Sequence, residues 1–237
     1  MTNDENKLRI GMVLFPKLTA LDLVGPYEVL ATSPNAQVDL LWHRIEPVEA
    51  MGGMPVLPTA TFDGYMPPDV LFVPGGPGQL AAMDDMPLIS FLQEAAPAAR
   101  YVTSVCTGSL VLAAAGLLRD KRATCHWASL DQLALMGAIP VQDRVVEDGD
   151  TITGAGVTSG IDFGLVLASR LWGEEAARRI QLVLEYDPAP PFDSGSVRAA
   201  DPALVSGLRD RMSAITETRR ATAARIGRDR LKLQTVK

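Results

Sequence analysis

Four short apolar runs, each closed by a turn signal, recur along the chain at residues 8–15, 36–42, 69–73 and 101–105. Near-continuous runs of this kind, without polar alternation, are typical of strands buried on both faces. The first ends at Pro16 and the third at Pro74-Gly75-Gly76-Pro77-Gly78. Stretches of helical period lie between and after them. The pattern predicts helices over 22–32, 87–99, 108–115, 158–172 and 174–185, with Gly116 stopping the third and Gly173 separating the last two. Asp22 is placed to cap the first helix, with Pro26 in its first turn, where a missing N–H costs little. Residues 48–62 hold two short extended pieces around Gly52-Gly53, and a second hairpin turn is predicted at Glu147-Asp148-Gly149-Asp150. Strands alternating with helices imply an α/β fold: a mostly parallel sheet with helices on both faces.

The C-terminal third reads differently. Residues 186–199 are rich in proline and glycine and predict a surface loop. A last helix is expected from about residue 201, where Leu204, Leu208, Met212 and Ile215 recur at helical spacing and imply that one face packs on something. The charged stretch 221–237 is expected to fray. No internal repeat or low-complexity linker divides the chain, so residues 1–237 are read as one domain.

Composition narrows the function classes. With 237 residues, 47% of them hydrophobic, the chain can bury one large core. A net charge of -6 argues against non-specific nucleic-acid binding. The basic C-terminal stretch, nine Lys/Arg against three Asp/Glu over 208–237, reads as a solvated helix face. No apolar run is long enough to cross a membrane, and the polar N-terminus lacks a signal-peptide core, so the expected address is cytoplasmic. Two cysteines, Cys106 and Cys125, make no disulfide framework, and with His43 and His126 they lack zinc-site spacing, so no metal is expected.

Candidate chemistry centres on Thr103-Ser104-Val105-Cys106-Thr107-Gly108-Ser109. Cys106 falls where a buried strand hands over to an apolar helix, at the strand end where doubly wound sheets bind ligands. The geometry is that of a nucleophile elbow, and the helix N-terminus favours thiolate over thiol; the competing reading is a buried structural cysteine. Gly75 and Gly76 form a loop that can bring backbone N–H groups close to a reacting atom, with Gly78 and Thr107 as further donors; an ordinary tight turn reads the same way. Asp22 is a lone carboxylate in apolar surroundings. It is a helix cap or a general acid/base whose pKa burial would raise. His126, beside Cys125, could form a dyad with Cys106 or be a structural histidine near the sheet edge. His43 shows no constellation.

Three segments carry a resemblance to a known family. They are Leu21-Asp22-Leu23-Val24-Gly25-Pro26, then Ser104-Val105-Cys106-Thr107-Gly108-Ser109-Leu110-Val111-Leu112, and the long Gln181-Leu182-Val183-Leu184-Glu185-Tyr186-Asp187-Pro188-Ala189-Pro190-Pro191-Phe192. Together they resemble the DJ-1/PfpI superfamily over residues 8–196, and within it the isocyanide hydratases. The resemblance implies a flavodoxin-like fold, Cys106 as nucleophile, Asp22 as its acid/base partner and Thr107 as the threonine that follows the nucleophile. Gly75, Gly76 and Val157 are implied at the substrate or oxyanion site. It further implies hydration of an isocyanide to an N-substituted formamide through a Cys106 thioimidate, no cofactor, and a homodimer in which the C-terminal helix face is a candidate contact. In the segment Thr153-Gly154-Ala155-Gly156-Val157-Thr158, Ala155 stands where the hydratase pattern has glycine. The residue after the nucleophile is threonine, not the histidine of proteolytic and glyoxalase-type relatives, which weakens a peptidase reading. Two alternatives remain open. One is a ligand sensor like the amidotransferase-like domains of AraC-type regulators; the other is a glyoxalase-like, deglycase-like or redox-responsive member of the same superfamily.

Overall fold

The computed structural model describes residues 7–232. The apolar runs form the strands β1 (Leu8–Val13), β2 (Ala36–Trp42), β6 (Val70–Val73) and β7 (Tyr101–Val105). Two short strands, β3 (Val48–Glu49) and β4 (Pro55–Val56), make the hairpin around Gly52-Gly53. A third, β5 (Ala60–Thr61), adds to the edge of the main sheet beside β2. The second hairpin joins β10 (Val145–Asp148) to β11 (Thr151–Gly154). The strands β8 (Arg122–Ala123) and β9 (Ile139–Pro140) form a separate parallel pair. The seven-stranded sheet has the order β10-β11-β7-β6-β1-β2-β5 and is parallel except for β10. All four residues of β6 and the last four of β7 are buried, as expected of strands covered on both faces.

One helical layer packs α1 (Ala20–Ala31), α5 (Ser159–Trp172) and α6 (Glu174–Val183) against one another. The other contains α2 (Gln79–Ala82), α3 (Met86–Ala95) and α4 (Gly108–Ala114). Every residue of α4 is buried, which explains its unbroken apolar sequence: a further layer, the 3-10 segment Leu130–Met136 with α7 (Pro202–Arg225), lies beyond it. The mostly parallel α/β sheet with helices on both faces is the one the patterning predicts, and its flavodoxin-like form is the one the resemblance implies.

Two expectations need correction. Asp22 does not cap α1: Thr19 holds the cap position, and Asp22 is the third helical residue, fully buried. Pro26 consequently lies inside the helix, where its missing N–H removes the bond to the Asp22 carbonyl. The C-terminal stretch does not fray over its described part. Arg219, Ala223 and Ile226 form a buried stripe at helical spacing, and Ile226 joins the main core. Ion pairs from Arg220 to Asp131, and from Arg225 and Arg230 to Asp84, flank that stripe. Residues 233–237 lie outside the described part. At the other end of α7, capped by Asp201, Leu204 and Leu208 are 49% and 38% exposed, so the predicted apolar face is only partly covered there by the described residues.

Candidate active site

The sheet order β7-β6-β1 sets the loops that leave three neighbouring strands side by side at their carboxyl ends. Asp22 comes from the first turn of α1 after β1, Gly75 and Gly76 from the loop after β6, and Cys106 and Thr107 from the turn after β7. The chain passes from β7 to α4 through Cys106 alone in the left-handed region, at φ 56. That backbone costs about 1–2 kcal/mol for a residue with a Cβ and fixes the sulfur at the junction.

Asp22 Oδ2 accepts the Gly75 N–H at 3.0 Å. Thr107 Oγ1 accepts the Gly76 N–H at 2.9 Å and donates to the Gly76 carbonyl at 3.2 Å. The Gly78 N–H goes to the Lys17 carbonyl at 3.2 Å. All three glycine donors expected to meet a reacting atom are therefore committed within the chain. What the glycines provide is space. A Cβ on Gly75 would lie 2.5 Å from the Thr107 nitrogen, 2.7 Å from Asp22 Oδ2 and 2.8 Å from Cys106 Cβ. Gly76, at φ +136, would meet the Thr19 backbone. The Thr107 N–H is the backbone donor that faces the Cys106 sulfur.

The electrostatics depart from the expected free thiolate. Burial and the adjacent Asp22 carboxylate together press the Cys106 thiol well above its ordinary range, against a smaller opposing pull from the Thr107 N–H. Burial likewise pushes Asp22 up to about 6, opposed by hydrogen bonds from Cys106 and Gly75. The two groups form one coupled pair that retains a proton near neutral pH, with the thiol donating to the carboxylate. Asp22 Oδ1 has no partner of good hydrogen-bond geometry among the described residues. A buried carboxylate oxygen left open beside a sulfur is a place for a reacting proton or a water.

Val157 and Ala155, from the turn after β11, line a cavity of about 450 Å³ together with Cys125, His126, Trp127 and Arg198. Cys106 itself is 4% exposed and lies beneath the surface. A larger groove of about 680 Å³ between the Leu130–Met136 segment and α7 contains none of the expected site residues. His126 Nδ1 accepts the Ala128 N–H at 3.3 Å, and burial with the Arg219 charge lowers its pKa; it makes no hydrogen bond to Cys106. His43 does have a partner: its Nε2 lies 2.6 Å from Asp85 Oδ2. Tyr186, in the distinctive C-terminal motif, donates to Asp162 at 3.1 Å, and Asp162 also pairs with Arg144 beside the cavity. Sequence reasoning missed Arg219, which comes from α7 and differs from its neighbours Arg220 and Arg225 in being buried and bonded to Gln79 instead of a carboxylate.

Residues 8–170 match the DJ-1/PfpI family. The chain is 54% identical over 204 residues to an isonitrile hydratase of Pseudomonas putida, spanning 86% of this chain and 90% of that protein. A crystal structure of a ThiJ/PfpI family protein from Pseudomonas syringae superposes with a TM-score of 0.90 at 41% identity, covering 92% of this chain and 90% of that one. The HTH-type transcriptional regulator CdhR of Pseudomonas aeruginosa is 32% identical over 71% of this chain, which spans about half, 52%, of the regulator.

Proposed function

The chain belongs to the DJ-1/PfpI family, and from that premise we propose that it is an isocyanide hydratase, a hydro-lyase that converts R–N≡C and water to an N-substituted formamide. One observation carries the choice of reaction: 54% identity to an isonitrile hydratase across nine-tenths of that protein. The regulator likeness supports a ligand sensor as the second reading, at lower identity and about half the regulator's length.

The site geometry supports a definite order of events. Asp22 takes the thiol proton as the Cys106 sulfur attacks the isocyanide carbon, forming the S–C bond. The same proton passes from Asp22 to that carbon, giving the thioimidate R–N=CH–S. Asp22, again a carboxylate, takes a proton from water as the oxygen adds to the thioimidate carbon and passes it to the nitrogen, giving R–NH–CH(OH)–S. The C–S bond breaks as the carbonyl forms, Asp22 carries the hydroxyl proton to the sulfur, and R–NH–CHO leaves. A carboxyl near 6 suits both duties at neutral pH. Thr107 holds Gly76 through its hydroxyl and turns its N–H to the sulfur. Gly75 orients Asp22; Val157 lines the neighbouring cavity, which we assign to the R group and whose lining does not include Cys106 or Asp22.

No cofactor enters this sequence of steps. The cytosol is the compartment we assign, where both cysteines stay reduced. The assembly is a homodimer, supported by the apolar residues Leu182, Val183 and Phe192, at 80%, 72% and 78% exposure, and by the partly covered face of α7. Purified protein given an alkyl isocyanide is expected to release the formamide, detected by chromatography, with C106A inactive. No wild-type turnover across several isocyanides would overturn the assignment.

A further inference from the structure

Among the described residues only two charged side chains are buried, Asp22 at 0% and Arg219 at 5% exposure. Asp22 is accounted for by its thiol partner. Arg219 has no carboxylate in ion-pair range among the described residues, whereas its neighbours Arg220 and Arg225 pair with Asp131 and Asp84. Its Nε donates to Gln79 Oε1 at 2.8 Å. Gln79 is fully buried, opens α2, and sends its backbone N–H to the Gly76 carbonyl at 3.1 Å. The guanidinium is thus fixed to the same loop that holds Thr107. A cation buried without a counter-charge is strongly unfavourable unless an anion forms nearby.

The groups that face it are few. Arg219 is within electrostatic reach of Cys125 first and Cys106 second, and of His126 in the same segment as Cys125; at Cys106 in its resting state burial, Asp22, Cys125 and the Thr107 N–H outweigh it. Cys125 sees Asp131 as well, but Asp131 is paired with Arg220. Burial holds the Cys125 thiol up at about 12 despite the guanidinium, so that sulfur stays protonated. At rest the Asp22 charge also holds the Cys106 thiol protonated, but Cys106, unlike Cys125, has a hydrogen-bonded carboxylate that can take its proton as the sulfur attacks. When that proton moves, negative charge leaves Asp22 and arrives on the sulfur.

We propose that Arg219 is a positioning residue of this active site: its guanidinium, clamped by Gln79 and left without a carboxylate, stabilises the negative Cys106 sulfur that forms when Asp22 takes the thiol proton. The C-terminal helix is in this way a component of the site. The inference rests on Cys106 being the nucleophile, but its readout needs no isocyanide, so its failure is distinguishable from failure of the hydratase assignment.

The test is the rate of iodoacetamide alkylation as a function of pH, resolved at the Cys106 peptide by mass spectrometry. R219Q is expected to slow Cys106 alkylation at neutral pH by about tenfold and to move the profile up by about one pH unit. R219K, which keeps the charge, is expected to restore most of the rate. Q79E gives the guanidinium a carboxylate without removing it, and is expected to act like R219Q; it decides the matter if R219Q does not fold. Cys106 profiles unchanged in R219Q or, where only it folds, in Q79E would overturn the proposal, as would an effect confined to the Cys125 peptide.

Discussion

A carboxyl group sealed from water is an unfavourable element that the rest of the fold must offset, and Asp22 is such a group. Its ordinary value is 3.8, and burial pushes it up to about 6 in the folded chain. Between those values the folded state binds a proton that the unfolded state has released, so stability falls as pH rises through that window. Above it the full penalty stands, about 3 kcal/mol. D22N removes the titrating group and keeps the shape. Urea unfolding at about pH 8 should therefore find D22N more stable than wild type by up to that amount, with the difference vanishing near pH 4. Equal stability at the higher pH would contradict the burial penalty. Hydration follows the opposite preference: kcat/KM should drop as pH falls through about 6, because a protonated Asp22 cannot accept the thiol proton.

At the scale of elements, the strand ends do the assembling and α7 completes the wall. Ile226, fully buried beyond the regular part of α7, is the sharpest probe of that wall. I226A is expected to cost about 2–4 kcal/mol in urea unfolding, the range for a large-to-small change in a packed core. A cost below about 0.5 kcal/mol, the range of surface changes, would mean that the helix end is not docked. The central strands and both hairpins were legible in the sequence, Tyr101–Val105 to the residue, because burial on two faces leaves a continuous apolar run. The elbow at Cys106 was legible for the same reason. The sequence leaves Asp22 open between cap and acid/base because its burial comes from loops after β6 and β7, 53 residues away at the Gly75 bond. The destination of each glycine N–H was equally hidden, since a glycine-rich loop states that the backbone approaches something without saying what. Arg219 was invisible among similar basic residues: charge along a helix does not report which turn faces inward.

At the scale of the molecule, five exposed apolar side chains, Leu182, Val183, Phe192, Leu204 and Leu208, lie on α6, on the loop that follows it and on the first half of α7, and others, such as Leu21, Met51 and Leu57, lie elsewhere. A second copy covering the α7 surface gives the pairing expected of a closed symmetric assembly. Light scattering on the eluting protein should give twice the 25.4 kDa chain mass, and L204E combined with L208E should weaken the pairing. A wild-type chain that stays monomeric at micromolar concentration would refute the homodimer. The bond between Gln79 and Arg219 spans 140 positions of sequence. Because a chain emerges from the ribosome N-terminus first, the sheet, the elbow and the sulfur are all made before the residue that answers their charge. On the proposal above, Cys106 meets its facing cation only once the last helix has folded back.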